Sequence, residues 1–534
     1  MPPTYDAIVI GAGHNGLTAA AYLAKAGRRV LVLERRHLVG GAAVSEEIVP
    51  GFTFSVCSYV VSLLRPEIIR ELDLPAHGLQ ILPLDGTFTP LPDGNSLWRT
   101  NDHAQTYREI ARHSRLDAEA YDEYGQAMLE MGRFAKPILS MTPPDPFSWR
   151  LEDLKALGAL AGRFQALPED AQARQVQLFT MSAADLLDQW FETDVLKATM
   201  AASGIIGTFL GIRSPGTAYV LLHHYMGEID GAFRSWGLAK GGTGRVSDAL
   251  AGAAAAAGAE ISLNAPVRHV LVNGGTAPGV VLENGEYHLA SAVLSSVDPR
   301  LTFMKMVGAD HLPAEFVEDL GHYRFRGSSG KVNLALDGLP DFTSRPGAGP
   351  HLRGAISISP SMDYMERAYD EAKYGRYSRQ PYIDIVLPSL TDPSVAPPGQ
   401  HVMSCFVQYA PYHLREASEN PEIAPWDACR EEWGDMVVRT IAEFAPGLES
   451  RIVGRQILTP LDLEREFSLT EGNIFQGELT LEQLFFLRPA PGWAGYNTPI
   501  RRLYLCGSAA HPGGGIMGAP GRNAAMKVLR DVRA

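Results

Sequence analysis

Tyr5–Ile10 is a short, apolar, β-branched run and reads as a buried strand. Gly11-Ala12-Gly13-His14-Asn15-Gly16 follows, then Leu17–Ala26, whose Ala and Leu content favours a helix. Gly27 ends that helix, being free to take the positive φ of a helix terminus. Arg29–Leu33 is a second strand that delivers Glu34, completing a β-α-β start. From about Pro83 to Trp236 the texture changes: Asp117–Phe134 and Ala183–Ala202 read as helices, with Pro143, Pro144 and Pro146 breaking the segment. After Lys240-Gly241-Gly242-Thr243-Gly244-Arg245 comes a helix over Val246–Ala257. Short β-rich pieces follow at Glu260–Leu263, Val267–Val272, Val280–Glu283, Tyr287–Ala290 and Ala292–Ser296. Residues 313–480 are mixed. Arg502–Cys506 returns as a strand, followed by a glycine-rich loop and a closing helix through Val532.

The nucleotide-type segments are therefore separated in sequence. The predicted fold class is α/β, a Rossmann-type dinucleotide-binding domain built from residues 1–80, 236–312 and 485–534. It interleaves with an α+β second domain from residues 81–235, the helical part, and 313–484. The length of 534 residues, with 46% hydrophobic and 20% charged, excludes a disordered chain. The net charge of −13 and the absence of a Lys/Arg block argue against nucleic-acid binding. The four cysteines form no Cys-x-x-Cys pair, which removes a zinc ribbon and a dithiol centre and suits a reducing compartment. The strand at Tyr5 leaves no room for a signal peptide, and no apolar run reaches the ~18 residues of a membrane span. The expectation is a cytoplasmic protein, with peripheral membrane contact left open. Ile205–Leu210 and Tyr219–Leu222 read as core rather than as a lipid-facing patch.

The first loop carries the chemistry. Gly11 permits a tight turn, Gly13 lets the backbone approach a pyrophosphate, and Gly16 allows close helix–strand packing. The phosphate charge then meets the helix N-terminus. Glu34, at the end of the second strand, suits the two hydroxyls of an adenosine ribose. His14 occupies a variable slot and reads as a phosphate neighbour or scaffold. Gly40-Gly41 allows a second close approach. At the other end, Leu503–Ala525 reads as strand, small-residue loop and helix start, a geometry that turns backbone N–H groups toward an anionic or carbonyl-rich ligand.

Glu34 followed by Gly40-Gly41 resembles the signature of FAD proteins of the glutathione-reductase-like and amine-oxidase-like superfamily. The closing run, with Glu34–Glu47, Ser58–Pro66, Lys240–Ala249, Gly472–Pro489 and Trp493–Ile500, resembles the phytoene desaturase-like flavoproteins. The resemblance spans nearly the whole chain and is weakest in the helical insert. It implies that Gly11, Gly13 and Gly16 line the FAD pyrophosphate and that Glu34 holds the ribose. Gly40, Gly41, Ala42 and Ala43 then flank the ribityl and flavin region, and the strand with Val267 presents backbone to adenine. Gly507 and Ser508 approach the pyrophosphate and ribityl, and Ile516, Met517, Gly518 and Ala519 meet the flavin ring. Ser508 stands where many relatives carry Asp.

The implied activity is an FAD-dependent dehydrogenase, desaturase or oxidase. It takes a hydride from a carbon of an apolar or amine substrate and passes electrons to oxygen, a quinone or another acceptor. The alternatives are an amine oxidase and a flavin-bearing protein that works by binding a partner or membrane. No flavin-attachment sequence surrounds any cysteine, so the FAD is expected to be non-covalent. Gly241–Arg245 lacks a clear preceding strand and a terminal acid, which argues against a second, NAD(P) site. His511 is the candidate base, with loop scaffolding as its alternative reading. Arg522 and Asn523 read as substrate contacts or caps of the final helix, with capping the preferred reading for Asn523. Trp493, Tyr496, Phe485 and Phe486 are candidate walls of an apolar space or plain core.

Overall fold

The computed structural model describes residues 4–229, 231–233, 235–415 and 424–532. The first strand, β1 (Thr4–Ile10), lies between β2 (Val30–Leu33) and the long strand Tyr287–Ser295, parallel to both. Glu260–Ser262 extends the parallel array beyond β2. On the other side Tyr287–Ser295 divides its partners. Its first residues pair antiparallel with Thr276–Leu282, which pairs with Val267–Asn273, and its last residues pair parallel with Leu503–Leu505. β2 and Leu503–Leu505 are buried throughout, as parallel strands covered on both faces must be.

Helix α1 (His14–Lys25) packs between Gly244–Ala256 and the closing helix Ala519–Asp531. Gly27, at φ +78°, ends α1 with its N–H on Ala24 O, while the Arg28 N–H reaches Leu23 O. A Cβ on Gly521 would overlap the Asn15 carbonyl, which explains how closely the first and last helices approach.

A second, seven-stranded sheet runs in the order Ile452–Leu458, Ser329–Leu336, His401–Gln408, Tyr382–Val386, Ala355–Ile358, Thr87–Pro90, Ser96–Arg99. One face packs on Trp426 and Trp433 of the helix Pro425–Ala442. The other turns toward helices of the 103–225 region and the dinucleotide side.

Four expectations change. The helix anticipated over Ala183–Ala202 is two, Ala183–Asp188 and Asp194–Ala201. Buried Asp117 causes the break, accepting the Glu192 and Thr193 N–H groups at 2.8 Å each. Tyr287–Ala290 and Ala292–Ser296 are one strand, Tyr287–Ser295, since β1 pairs along nearly its whole length. The segment 81–235 is not wholly helical, because Thr87–Pro90 and Ser96–Arg99 form a hairpin at the edge of the second sheet. A short strand, Gly237–Ala239, does precede Gly241, but it pairs antiparallel with Ile81–Pro83, outside the parallel sheet. Tyr219–Leu222 are buried, as read from the sequence, whereas of Ile205–Leu210 only Ile205, Gly207 and Thr208 are buried; Ile206, Phe209 and Leu210 are half-buried. No helix among the described residues is long and apolar enough to cross a membrane.

Candidate active site

A cavity of about 430 Å³ opens at the carboxyl ends of the parallel strands, lined by Gly11, Gly13, Glu34, Gly40, Gly41, Ala42, Val267 and Ser508 among others. Backbone geometry dictates the glycines. Gly11 sits at φ +90°, and a Cβ on Gly16 would overlap the Gly11 carbonyl. A Cβ on Gly13 would meet nothing nearer than Ser296 Oγ at 3.9 Å, so that residue leaves open space at the N-terminus of α1. The N–H groups of the first turn there have no intrahelical acceptor. The two glycine pairs are tied together: the Gly40 N–H donates to Ala12 O at 2.8 Å, and Gly13 bridges Gly40.

Glu34 is buried and does more than face a ribose. Its Oε2 accepts the Ala12 N–H at 2.8 Å and its Oε1 the Arg36 N–H at 2.9 Å, so the carboxylate also holds the loop. Each oxygen keeps a further lone pair for a hydroxyl donor. Asn15 Oδ1 and Arg36 Nη1 are buried without partners, and both residues line the cavity. These orphaned groups, the open face at Gly13 and the free helix N–H groups fit a pyrophosphate-bearing dinucleotide.

His14, read from the sequence as a phosphate neighbour or scaffold, ties the first loop to the last. Its ring faces Gly515 O at 3.1 Å, and burial lowers its pKa to about 4, so the ring is neutral with Nε2–H donating. His14, Ala42, Ile474 and Ser508 line both this cavity and a second chamber of about 140 Å³. That chamber adds Ala43, Leu63, Phe406, Phe475 and Ile516, and it continues through Val60, Ile206, His224 and Trp236 into a further space of about 600 Å³.

The C-terminal run is only partly where the resemblance implies. Ser508 accepts from Asn15 Nδ2 at 3.1 Å and lines both cavities, and Ile516 lines the chamber. Gly507 instead packs on the Ser296 carbonyl, which leaves no room for a Cβ. The side chains of Met517 and Ala519 pack with Leu63 as core. Gly518, at φ +72°, is the N-cap of the closing helix, and a Cβ there would point at Ile68 and Thr18.

His511 is corrected. It is fully buried, lines none of these spaces, and faces Ile138 O at 2.8 Å, with its pKa lowered to about 4 by burial. Asn523 is not a cap. It lies inside the closing helix and donates to Leu139 O and to Tyr496 Oη. Arg522 pairs with Glu71 at the surface. Phe485 packs on Phe179, Tyr219 and His511, Trp493 on Phe316, and Tyr496 donates to His511 O, so these aromatics are core. The chamber's aromatic walls are Tyr59, Trp236, Phe406 and Phe475.

Sequence reading missed the floor of the chamber. Along Ser329–Leu336, Val332, Leu334 and Leu336 enter the core on one face, so Lys331 and Asn333 must face the other. Lys331 is buried in the chamber wall, with Nζ donating to Ser55 O at 3.0 Å and lying 5.3 Å from the Tyr59 ring centre. Burial lowers its pKa to about 8. Lys331 pairs across the sheet with Phe406, and Phe406 with Asp384. Asp384 accepts from Tyr59 Oη at 2.6 Å, and burial raises its pKa to about 6. A lysine alternating with apolar residues looks like a solvated strand face, so only the fold turns it inward.

The fold and this site define an FAD-dependent oxidoreductase. The chain belongs to the flavin-containing amine oxidoreductase family, whose model matches residues 16–424. It is 41% identical to pyridine nucleotide-disulfide oxidoreductase domain-containing protein 2 of Rattus norvegicus, over 100% of this chain and 94% of that protein. It is 27% identical to the lycopene-forming phytoene desaturase of Pantoea ananas, over 98% and 97% of the two chains. In fold it is similar to a putrescine oxidase solved with putrescine, with a TM-score of 0.61 and 17% identity over the full length of both chains. The disulfide chemistry in the rat protein's name has no counterpart in this site. All four cysteines are free, and burial raises every thiol pKa, that of Cys57 to about 12.

Proposed function

We propose that the protein removes a hydride and a proton from adjacent carbons of an apolar substrate, leaving a C=C bond, the hydride passing to FAD held non-covalently and the proton to the deprotonated Lys331 amine or to solvent. The observation that carries this reading is the apolar, aromatic-walled chamber continuous with the dinucleotide cavity. The FAD would be held by Gly11, Gly13, Gly16 and the first turn of α1 at its pyrophosphate, by Glu34 at the ribose, and by Val267 at adenine. Gly40–Ala43, Ser508 and the Ile516–Ala519 backbone would take the ribityl and flavin. When bound, flavin supplies a two-electron acceptor that oxygen, a quinone or another acceptor then empties.

The protein's own groups supply the rest. The chamber walls exclude water, and burial brings the loss of the Lys331 Nζ proton down to about pH 8. The Cys57 thiol lines the chamber but stays protonated, which favours non-covalent flavin. Lys331 and Arg99 outnumber Asp384, whose carboxylate accepts from Tyr59 Oη, along the substrate space, and this excess of positive charge disfavours an ammonium against a hydrocarbon. The interleaved division into residues 1–80, 236–312 and 485–534 against 81–235 and 313–484 is part of this reading. So is a cytoplasmic protein that touches membrane peripherally. Phe147, Trp149, Leu151 and Leu154 support that contact, being 73%, 90%, 66% and 43% exposed.

The test is direct. Purified protein is yellow, acid precipitation releases the flavin, and an anaerobic panel of hydrocarbons bleaches it while amines do not. Colourless protein that cannot be reconstituted with FAD, or bleaching by amines alone, overturns the reading.

A further inference from the structure

The space beyond the chamber ends at an arginine with an incomplete set of partners. Arg99 closes the edge strand Ser96–Arg99, is 7% exposed, and lines the 600 Å³ space. Its Nη1 donates to Tyr121 Oη at 3.3 Å, whereas Nε is buried with no partner and Nη2 has none among the described residues. No carboxylate among the described residues pairs with it. By contrast Arg488, also buried, donates to the carbonyls of Ser508, Glu478, Gln483, Phe475 and Gly477. The unused Nε–Nη2 edge of Arg99 is the edge that grips a carboxylate in two parallel bonds.

The sheet fixes where this edge lies. Lys331 pairs with Phe406, Phe406 with Asp384, and Asp384 with Ser357. On the next strands Ala355 pairs with Thr87 and Thr87 with Arg99. All seven residues line the connected space. Five inter-strand steps of about 4.8 Å put Arg99 roughly 24 Å from Lys331 along this floor. Between them, Asp384 is occupied by the Tyr59 hydroxyl, and the neck is Val60, Ile206, His224 and Trp236.

We propose that this space takes a long, apolar molecule ending in a carboxylate, with the carboxylate on Arg99 and the far end of its chain beside Lys331. The inference rests on reading the chamber as the substrate site, and it names the substrate class. At about 1.3 Å per carbon–carbon bond, a chain of roughly fourteen or more carbons spans most of the floor.

The probes are myristate, 1-tetradecanol, hexanoate and tetradecyl phosphate, titrated into the purified protein by calorimetry and by the visible flavin band. Myristate is expected to bind at least tenfold more tightly than tetradecanol and to shift the flavin band, while hexanoate leaves the band unmoved. Arg99→Met should bring myristate down to the affinity of tetradecanol, and Arg99→Lys should lose part of the preference. Equal affinity of wild-type protein for acid and alcohol overturns the proposal without any variant. So does an unaltered acid preference in Arg99→Met, or tighter binding of the phosphate than of the carboxylate. Calorimetry does not need flavin. Protein that binds myristate through Arg99 yet carries no flavin sinks the redox reading and supports this one, whereas yellow protein indifferent to the acid does the reverse.

Discussion

Lys331→Met isolates the energetics of the chamber floor. The ammonium is buried, and its pKa falls from 10.5 to about 8 because burial disfavours the charged form; only the Cys57 and Cys405 thiols oppose that fall electrostatically. Below pH 8 the folded and unfolded chains both carry the proton, so the folded state bears the full penalty, about 3 kcal/mol for this shift. Between pH 8 and 10.5 the folded state loses its proton first, so stability rises with pH, and above 10.5 the penalty is gone. Methionine keeps the volume and removes the charge, but it leaves Ser55 O without its donor, a loss of about 1–1.5 kcal/mol. The variant should therefore be about 2 kcal/mol more stable than wild type at pH 7. That advantage should fall by about 3 kcal/mol by pH 10.5, ending slightly negative. Because the lost contact does not titrate, the pH dependence of the difference reports the buried charge alone. Urea unfolding of both proteins, at a fixed excess of FAD from pH 6.5 to 10.5, measures it. A difference that stays flat with pH, or a variant less stable at pH 7, would refute an uncompensated ammonium at this position.

Other consequences follow from single contacts. Glu34→Ala removes the acceptor of the Ala12 and Arg36 N–H groups, and should weaken FAD retention at least tenfold, about 1.4 kcal/mol, by equilibrium dialysis. Gly518→Val forces a β-branched residue to φ +72° against Ile68, so its melting temperature should drop, whatever the flavin occupancy. His511→Ala should cost about 1–3 kcal/mol of stability by stranding Ile138 O, while leaving the rate of substrate-driven flavin reduction within twofold of wild type. NADH at micromolar concentration should bleach the flavin slowly at best under anaerobic stopped flow, and rapid bleaching would reveal a nicotinamide site.

The dinucleotide side was legible because its constraints act between sequence neighbours. A glycine that must sit at φ +90°, a helix that must begin at His14 and an acid that must end a strand all fall within a short stretch. The substrate side was hidden because its constraints act across strands. Lys331, Asp384 and Arg99 come from three separate segments, and only sheet pairing sets them in line. His511 misled for a related reason. A histidine in a glycine-rich loop looks exposed to a ligand, yet the loop turns it inward to Ile138, from a segment more than 300 residues away. The helix break at Glu192 was equally unreadable, since its cause, Asp117, lies on another helix.

The two sheets divide the work by their geometry. Parallel strands end together, and the loops leaving them can be stripped of side chains, so that side of the protein offers backbone N–H groups and one carboxylate to a charged cofactor. The second sheet, antiparallel except where Ala355–Ile358 meets Thr87–Pro90, offers a face, and alternation hands every second residue of each strand to that face. Here the residues handed over include a buried lysine, a half-buried aspartic acid and a buried arginine, each held only by neutral partners. A stable core alone would not select them, because apolar residues in the same positions would carry no desolvation penalty. Three ionisable groups along one floor, with Val60, Ile206, Trp236 and a neutral His224 lining the neck above them, therefore describe a surface shaped for something that lies along it. The cofactor end and the arginine end then set the two limits of what that molecule is: oxidisable at one and anionic at the other.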